Sequence, residues 1–267
     1  MNVTRIGGKP ALAVEHGGEG PLVVFIHGIG GNRSNWREQL DAFAPKFHVA
    51  AWDARGYGDS EDYEGPLDFG DFSRDLARVL DHFGARAAHI VGLSMGGMIV
   101  QDFYRRHPDR VLSMVLANTR NGFQRHNSEE FLRKREAPLL AGLTPADIAP
   151  ELAKSLASPS APQPVRERLQ ASIARLHKES YLKTLRATSR LGTEGDLKDR
   201  NSFLDLEQVR VPVLVICGSA DTVTPPQMSE EIAQRAPGAR YVLIEGAGHL
   251  SNIENPAAFN AALTAFL

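Results

Sequence analysis

Six short apolar runs constrain this chain more than any other feature: Leu22–Ile26, Val49–Trp52, Ala88–Leu93, Val111–Ala117, Val213–Cys217 and Tyr241–Ile244. Each is too short for an amphipathic helix and apolar on both faces, as strands covered on both sides of a parallel sheet are. Helical stretches lie between most of them. Phe69–Phe83 carries Phe72, Leu76, Val79, Leu80 and Phe83 at about the 3.6-residue helical period. Met95–His107 stops before Pro108, and Gln227–Arg235 and Pro256–Leu267 are the last two. The opening stretch, Val3–Glu15 and then Leu22 onward with Gly17-Gly18 between, reads as short strands joined by turns. Strand–helix alternation of this kind predicts an α/β fold with a parallel sheet covered on both faces.

The alternation stops after Asn118. From Thr119 to Leu206 the pattern is helical throughout: Ser128–Ala141, Pro145–Ala157, Val165–Lys178 and Tyr181–Leu191. Thr144 before Pro145 is an N-cap followed by proline at the first helical position. Pro159, Pro162 and Pro164 separate the second of these helices from the third. The expected organisation is a core of residues 1–118 and 207–267 interrupted by a helical cap, 119–206. The cap holds 15 Lys/Arg against 11 Asp/Glu, a net of +4, and the remainder 15 against 21, a net of -6. The plain reading is solvated helix faces; the sharper one is a basic lid over an anionic substrate.

Several classes are excluded on composition. A net charge of -2 argues against a nucleic-acid partner. No apolar run reaches the length of a membrane span, and the first residues have no apolar signal region, so the expected location is cytoplasmic. The single Cys217 allows no intramolecular disulfide and no cysteine-based metal site. There is no H-E-x-x-H and no histidine pair at ligand spacing, so neither metal nor organic cofactor is expected. A homodimer is compatible with the chain's size, without a feature that specifies one.

Gly92-Leu93-Ser94-Met95-Gly96 fits G-x-S-x-G, with a strand running in and a helix running out. That context makes a nucleophile elbow, in which a tight turn holds the serine hydroxyl at the carboxyl end of the sheet. Gly92 and Gly96 let strand and helix approach closely. A serine hydroxyl needs a base to become a nucleophile. His249, in Gly246-Ala247-Gly248-His249-Leu250, lies between the last strand and the last helix, 155 residues after Ser94. Asp221, just past Val213–Cys217 and 28 residues before His249, is the acid that would orient the imidazole. An oxyanion needs two backbone donors; Met95 N–H is one candidate and Ile29 N–H, in His27-Gly28-Ile29-Gly30-Gly31, the other. His27 reads as structural, as do Asp53 and Arg55 of Asp53-Ala54-Arg55-Gly56-Tyr57-Gly58-Asp59-Ser60.

With HGIGG, DARGYGDS, GLSMGG, GSADTVTP and GAGHLSN in order at the expected strand ends, the chain resembles the α/β-hydrolase superfamily over nearly its whole length. The resemblance implies an eight-stranded, mostly parallel sheet flanked by helices, with an all-helical cap after the sixth strand. Some members place the triad acid after that strand, where this chain reads Leu116-Ala117-Asn118 and has no carboxylate. Ser94 argues against the dehalogenases and epoxide hydrolases, which have aspartate there. Hydroxynitrile lyases keep a lysine near the acid, and none follows Lys198 here. Cofactor-free haloperoxidases usually carry an aromatic residue and proline after HG, where this chain has Ile29-Gly30. Carbon–carbon bond hydrolases of ring-cleavage products usually carry asparagine before the serine and tryptophan after the histidine, where this chain has Leu93 and Leu250.

GLSMGGMIVQ followed by LANT is similar to 3-oxoadipate enol-lactonases and related small esterases, although His27-Gly28 differs from their usual oxyanion loop. The expectation is hydrolysis of a small-molecule ester or lactone through an acyl-enzyme. Arg120 and Arg125 lie just past the sixth strand, and one of them is expected to meet a substrate carboxylate. Carbon–carbon bond hydrolysis and receptor-like ligand binding with slow turnover are the alternatives.

Overall fold

The computed structural model describes residues 1–123 and 128–267. Its strands are β1 (Asn2–Ile6), β2 (Leu12–Gly17), β3 (Leu22–Ile26), β4 (His48–Trp52), β5 (Ala88–Leu93), β6 (Val111–Ala117), β7 (Val213–Gly218) and β8 (Arg240–Ile244). They form one eight-stranded sheet in the order β1-β2-β4-β3-β5-β6-β7-β8. β1 and β2 pair antiparallel, as do β2 and β4, and every pair from β4 across to β8 is parallel.

Apolar residues on both faces of the central strands β3 to β7 explain the layering. Side chains alternate across a strand. Val24, Ile26, Ile90, Met114 and Leu116 therefore join one core with α2 (Gly70–His82) and α3 (Met95–Arg106). Val23, Phe25, Val91, Val115 and Ile216 join a second core with α1 (Arg37–Phe43) and α10 (Pro256–Thr264). β8 departs from the expectation of a strand buried on both faces: it lies at the sheet edge and leaves Leu243 exposed.

Among the described residues, four α-helices occupy the interval between β6 and β7: α4 (Ser128–Leu140), α5 (Pro145–Leu156), α6 (Gln163–Ala174) and α7 (Lys178–Ser189). α5 packs on α6 and α4 on α7. Thr144 caps α5 as its sequence predicts, in a reciprocal box with Asp147. α7 begins three residues before the expected Tyr181. The two ends of the interval are laced into a short neck. Phe203 N donates to Asn121 O at 3.1 Å and Phe123 N to Asn201 O at 3.0 Å. The Asn121 amide bonds both backbone groups of Leu204, and Gly122 bridges Ser202.

The remaining helices are α8 (Pro226–Arg235), after β7, and the single turn α9 (Ser251–Glu254) before α10. No described helix is long and apolar enough to cross a membrane.

Candidate active site

Ser94 sits between β5 and α3 with φ 57° and ψ -117°, a conformation that a non-glycine residue adopts only when its surroundings impose it. The surroundings are backbone packed on backbone. A Cβ at Gly92 would lie 2.3 Å from the Gly96 carbonyl, and one at Gly96 would lie 2.1 Å from Ile26 O. Both glycines are therefore required for strand and helix to touch. Ser94 N donates to Ala117 O at 2.9 Å, and Thr119 Oγ1 donates to Ser94 O at 2.7 Å, which pins the turn from the β6 side.

The three residues expected from sequence meet. His249 Nε2 is 2.9 Å from Ser94 Oγ. Its Nδ1 is 2.9 Å and 3.1 Å from the two carboxylate oxygens of Asp221. His249 and Asp221 are both buried. Asp221 also accepts Val223 N and Thr224 N, the Thr224 hydroxyl at 2.8 Å, and Asn118 Nδ2 at 2.9 Å. Burial pushes its carboxyl up, but the hydrogen bonds from His249, Asn118 and Thr224 outweigh burial and hold the pKa down at about 2. A carboxylate ionised at neutral pH fixes Nδ1 as the protonated nitrogen and leaves Nε2 free to accept the serine proton.

The expected oxyanion donors lie beside this row. A Cβ at Gly28 would approach Ser94 Cβ to 3.0 Å, so the loop carrying Ile29 lies against the serine. Met95 opens α3, where the first N–H groups have no helical acceptor. Neither the Ile29 nor the Met95 N–H has an acceptor among the described residues. His27 holds the loop from within: Nδ1 donates to Gly28 O at 2.8 Å and Nε2 accepts Ala54 N at 3.0 Å. Asp53 accepts Arg33 N and Asp59 N, and Arg55 pairs with Asp75, so both fix neighbouring loops.

A cavity of about 410 Å³ opens over Ser94 and His249, between sheet and cap. Leu152, Leu156, Leu169 and Ile173, from α5 and α6, make an apolar wall. The other helix pair brings Arg135 and Tyr181. Arg120 lines the same cavity one residue after Thr119. Burial pushes its guanidinium pKa down, and its side chain has neither carboxylate partner nor hydrogen-bond acceptor among the described residues. Arg125 lies outside the described residues.

The sequence does not mark Asn118, Thr224, Ser251, Glu254 or Arg135 as contributors, and at Asn118 it shows only that no acid is present. In the structure Asn118 has φ 46°; its Nδ2 reaches Asp221 Oδ2 and Gly248 O, and its Oδ1 accepts the Ser251 hydroxyl at 2.5 Å. A polar residue where some members carry the acid was the available signal. Among the described residues no cluster of three or more His, Cys, Asp or Glu could hold a metal ion.

Residues 21–256 match the sequence profile of the alpha/beta hydrolase fold. The chain is 29% identical over 251 residues to 3-oxoadipate enol-lactonase 2 of Acinetobacter baylyi, covering 92% of this chain and 88% of that one. The structure of a thermophilic esterase from Thermogutta terrifontis, with malate bound, superposes with a TM-score of 0.88 at 27% identity, over 99% of this chain and 97% of the other. A bromoperoxidase from Bacillus anthracis superposes with a TM-score of 0.86 at 22% identity, over 99% of both chains, a likeness of fold alone. One architecture thus carries several chemistries, and the reaction has to be argued from the site.

Proposed function

Because this chain belongs to the alpha/beta hydrolase fold family, we propose that it is a serine hydrolase acting on a small carboxylic ester or lactone that bears an anionic group. The hydrogen-bonded row Ser94–His249–Asp221 beneath a cavity that holds Arg120, whose side chain has no partner among the described residues, carries this reading. His249 Nε2 takes the hydroxyl proton as Ser94 Oγ attacks the carbonyl carbon. The N–H groups of Ile29 and Met95 receive the negative charge on the carbonyl oxygen. The tetrahedral intermediate collapses to an acyl-enzyme, and the alcohol leaves with the proton from His249. Water, deprotonated by His249, then attacks the acyl carbon and releases the acid and Ser94.

The anionic substrate follows from the cost of Arg120. A guanidinium stays charged in proteins, and withdrawing it from water without a partner costs free energy. A substrate carboxylate would supply that partner through paired, charge-assisted hydrogen bonds. The names of two similar proteins agree, one an enol-lactonase and the other an esterase with malate bound. The single buried thiol of Cys217 suits a reducing compartment, and we place the activity in the cytoplasm.

A pH-stat screen tests the reading with carboxylate-bearing lactones, neutral short-chain esters and vinylogous ring-fission diketones. Sustained turnover of the acidic substrates is expected. Arg120→Ala should raise KM for these by about tenfold or more and leave neutral esters unchanged, as loss of a charged hydrogen bond requires. An equal effect on both classes removes the anionic part of the proposal. Cleavage of the diketones alone replaces ester hydrolysis by carbon–carbon bond hydrolysis. A single burst without turnover replaces it by ligand binding.

A further inference from the structure

The loop that carries His249 is held from outside the sheet as well as from within it. The Glu254 carboxylate, at the end of α9, accepts three backbone N–H groups. Gly248 N lies at 2.9 Å and Ser158 N at 3.0 Å from Oε2, and Leu250 N at 3.3 Å from Oε1. Gly248 and Leu250 are the neighbours of His249, whereas Ser158 follows the end of α5 in the cap. The His249 amide itself donates to Leu156 O, on the last residue of α5, at 3.1 Å. The two segments touch through backbone: a Cβ at Gly248 would lie 2.5 Å from Ser158 N and 2.9 Å from Glu254 Oε1. Leu156 is also part of the apolar wall of the cavity.

We propose that Glu254 is a positioning residue that brackets the histidine loop to the cap, so that the aim of His249 at Ser94 depends on where the α5 wall stands. The proposal rests on reading Ser94 and His249 as nucleophile and base. The loop needs such an anchor because Gly246 and Gly248 give its backbone unusual freedom. A side-chain oxygen that accepts N–H groups from two segments at once ties those segments together, whatever its charge. A substrate whose bulk displaces Leu156 pulls on the backbone of His249 through the same bracket. Misfit on that side of the cavity is therefore paid in kcat, and not in KM alone.

Three substitutions separate the bracket from the charge of Glu254. Glu254→Gln keeps an oxygen for the two shorter bonds, to Gly248 and Ser158. Glu254→Asp keeps the charge on a shorter side chain, and Glu254→Ala removes both. The first readout is the rate at which a fluorophosphonate labels Ser94, which requires an activated serine but no knowledge of the substrate. The second is kcat and KM for a nitrophenyl ester and the matching alkyl ester. Glu254→Gln is expected to stay within about threefold of wild type. Glu254→Ala and Glu254→Asp are expected to fall about ten- to a hundredfold in labelling and kcat with KM little changed, the scale of a misplacement near 1 Å. The alkyl ester should lose more than the nitrophenyl ester, since its leaving group needs the proton from His249.

Rescue by Asp and not by Gln would make the effect one of charge and overturn the bracket. So would wild-type labelling in Glu254→Ala, or a loss shared equally by both esters and accompanied by a rise in KM. Failure of the wild-type protein to label at Ser94 would instead remove the nucleophile reading on which the proposal stands.

Discussion

The sheet core and the cap are joined to the same cavity but are held together by different contacts. In the core, β3 and β7 are buried along their length and β5 at every residue but His89, and both faces are closed by the apolar sides of amphipathic helices. Along the seam with the cap the contacts include many polar pairs. Asn32 Nδ2 donates to Ser172 Oγ at 2.9 Å, and Ser172 Oγ donates to Gly30 O at 3.2 Å. Arg168 pairs with Glu38, Ser180 hydrogen-bonds to Asp62, and Lys183 hydrogen-bonds to Tyr63 O and lies over the Tyr63 ring. Apolar burial is close to non-directional, so a core of this kind tolerates no gap but fixes backbone positions well. Polar pairs are directional and individually modest, so a seam built on them sets an orientation without adding much stability. The hydrogen-bonded row of Ser94, His249 and Asp221 stands on core loops, and the apolar cavity wall draws on both parts, with Leu152, Leu156, Leu169 and Ile173 from the cap and Met98, Val223 and Leu250 from the core.

Substitutions can sharpen that division or break it. The largest effect belongs to the core turn. Ser94→Ala should lower kcat by roughly four to six orders of magnitude while leaving thermal unfolding near wild type, as removal of a triad nucleophile does. Near-full hydrolysis by the purified variant would locate the chemistry elsewhere. Next come paired truncations. Ile90→Ala, in β5 and fully buried, should cost about 2–5 kcal/mol in urea unfolding, and Leu152→Ala, on the cavity wall, about 1–2 kcal/mol with a change in substrate preference. Equal costs, or altered preference from Ile90→Ala, would erase the distinction.

The smallest effect expected is one of pH. Asp221 has a folded pKa near 2, below its ordinary value of 3.8. A depressed carboxylate adds stability above its ordinary pKa and loses it as pH falls toward the folded value. Asn118→Ala removes one of the donors that depress it, so part of this stability is lost at neutral pH. Urea midpoints measured from pH 7 to about 2 should show the gap between the two proteins narrowing through that acid window. A gap that stays constant across the range would mean that Asn118 acts by packing and not through Asp221.

Much of the core was legible in the sequence because its signals are local. The six apolar runs are strands, and the glycines around Ser94 are required by close backbone contacts. α1 escaped notice because it is short and opens through the polar turn Arg33–Trp36, so Trp36, Leu40 and Phe43 give barely two turns of pattern. The cavity was less legible for a different reason. Its residues come from both parts of the chain; the place of Arg120 just past β6 pointed to it, but nothing in the local pattern of Arg135 distinguishes a residue lining a cavity from one in solvent. Asn118 and Glu254 illustrate the same limit. Their hydrogen bonds reach residues 130 positions away in one case and 96 in the other, a distance over which periodicity carries no information.

The neck at Asn121–Phe123 and Asn201–Leu204 bears on how such a molecule can change over time. It brings the start and the end of the cap side by side, so the polymer between them is a closed loop whose ends are already joined. The entropy of closing a loop grows only with the logarithm of its length. Segments of quite different length can therefore be exchanged at this neck at little cost to the sheet beneath. That makes it the junction at which new specificities could be grafted onto an unchanged reaction centre.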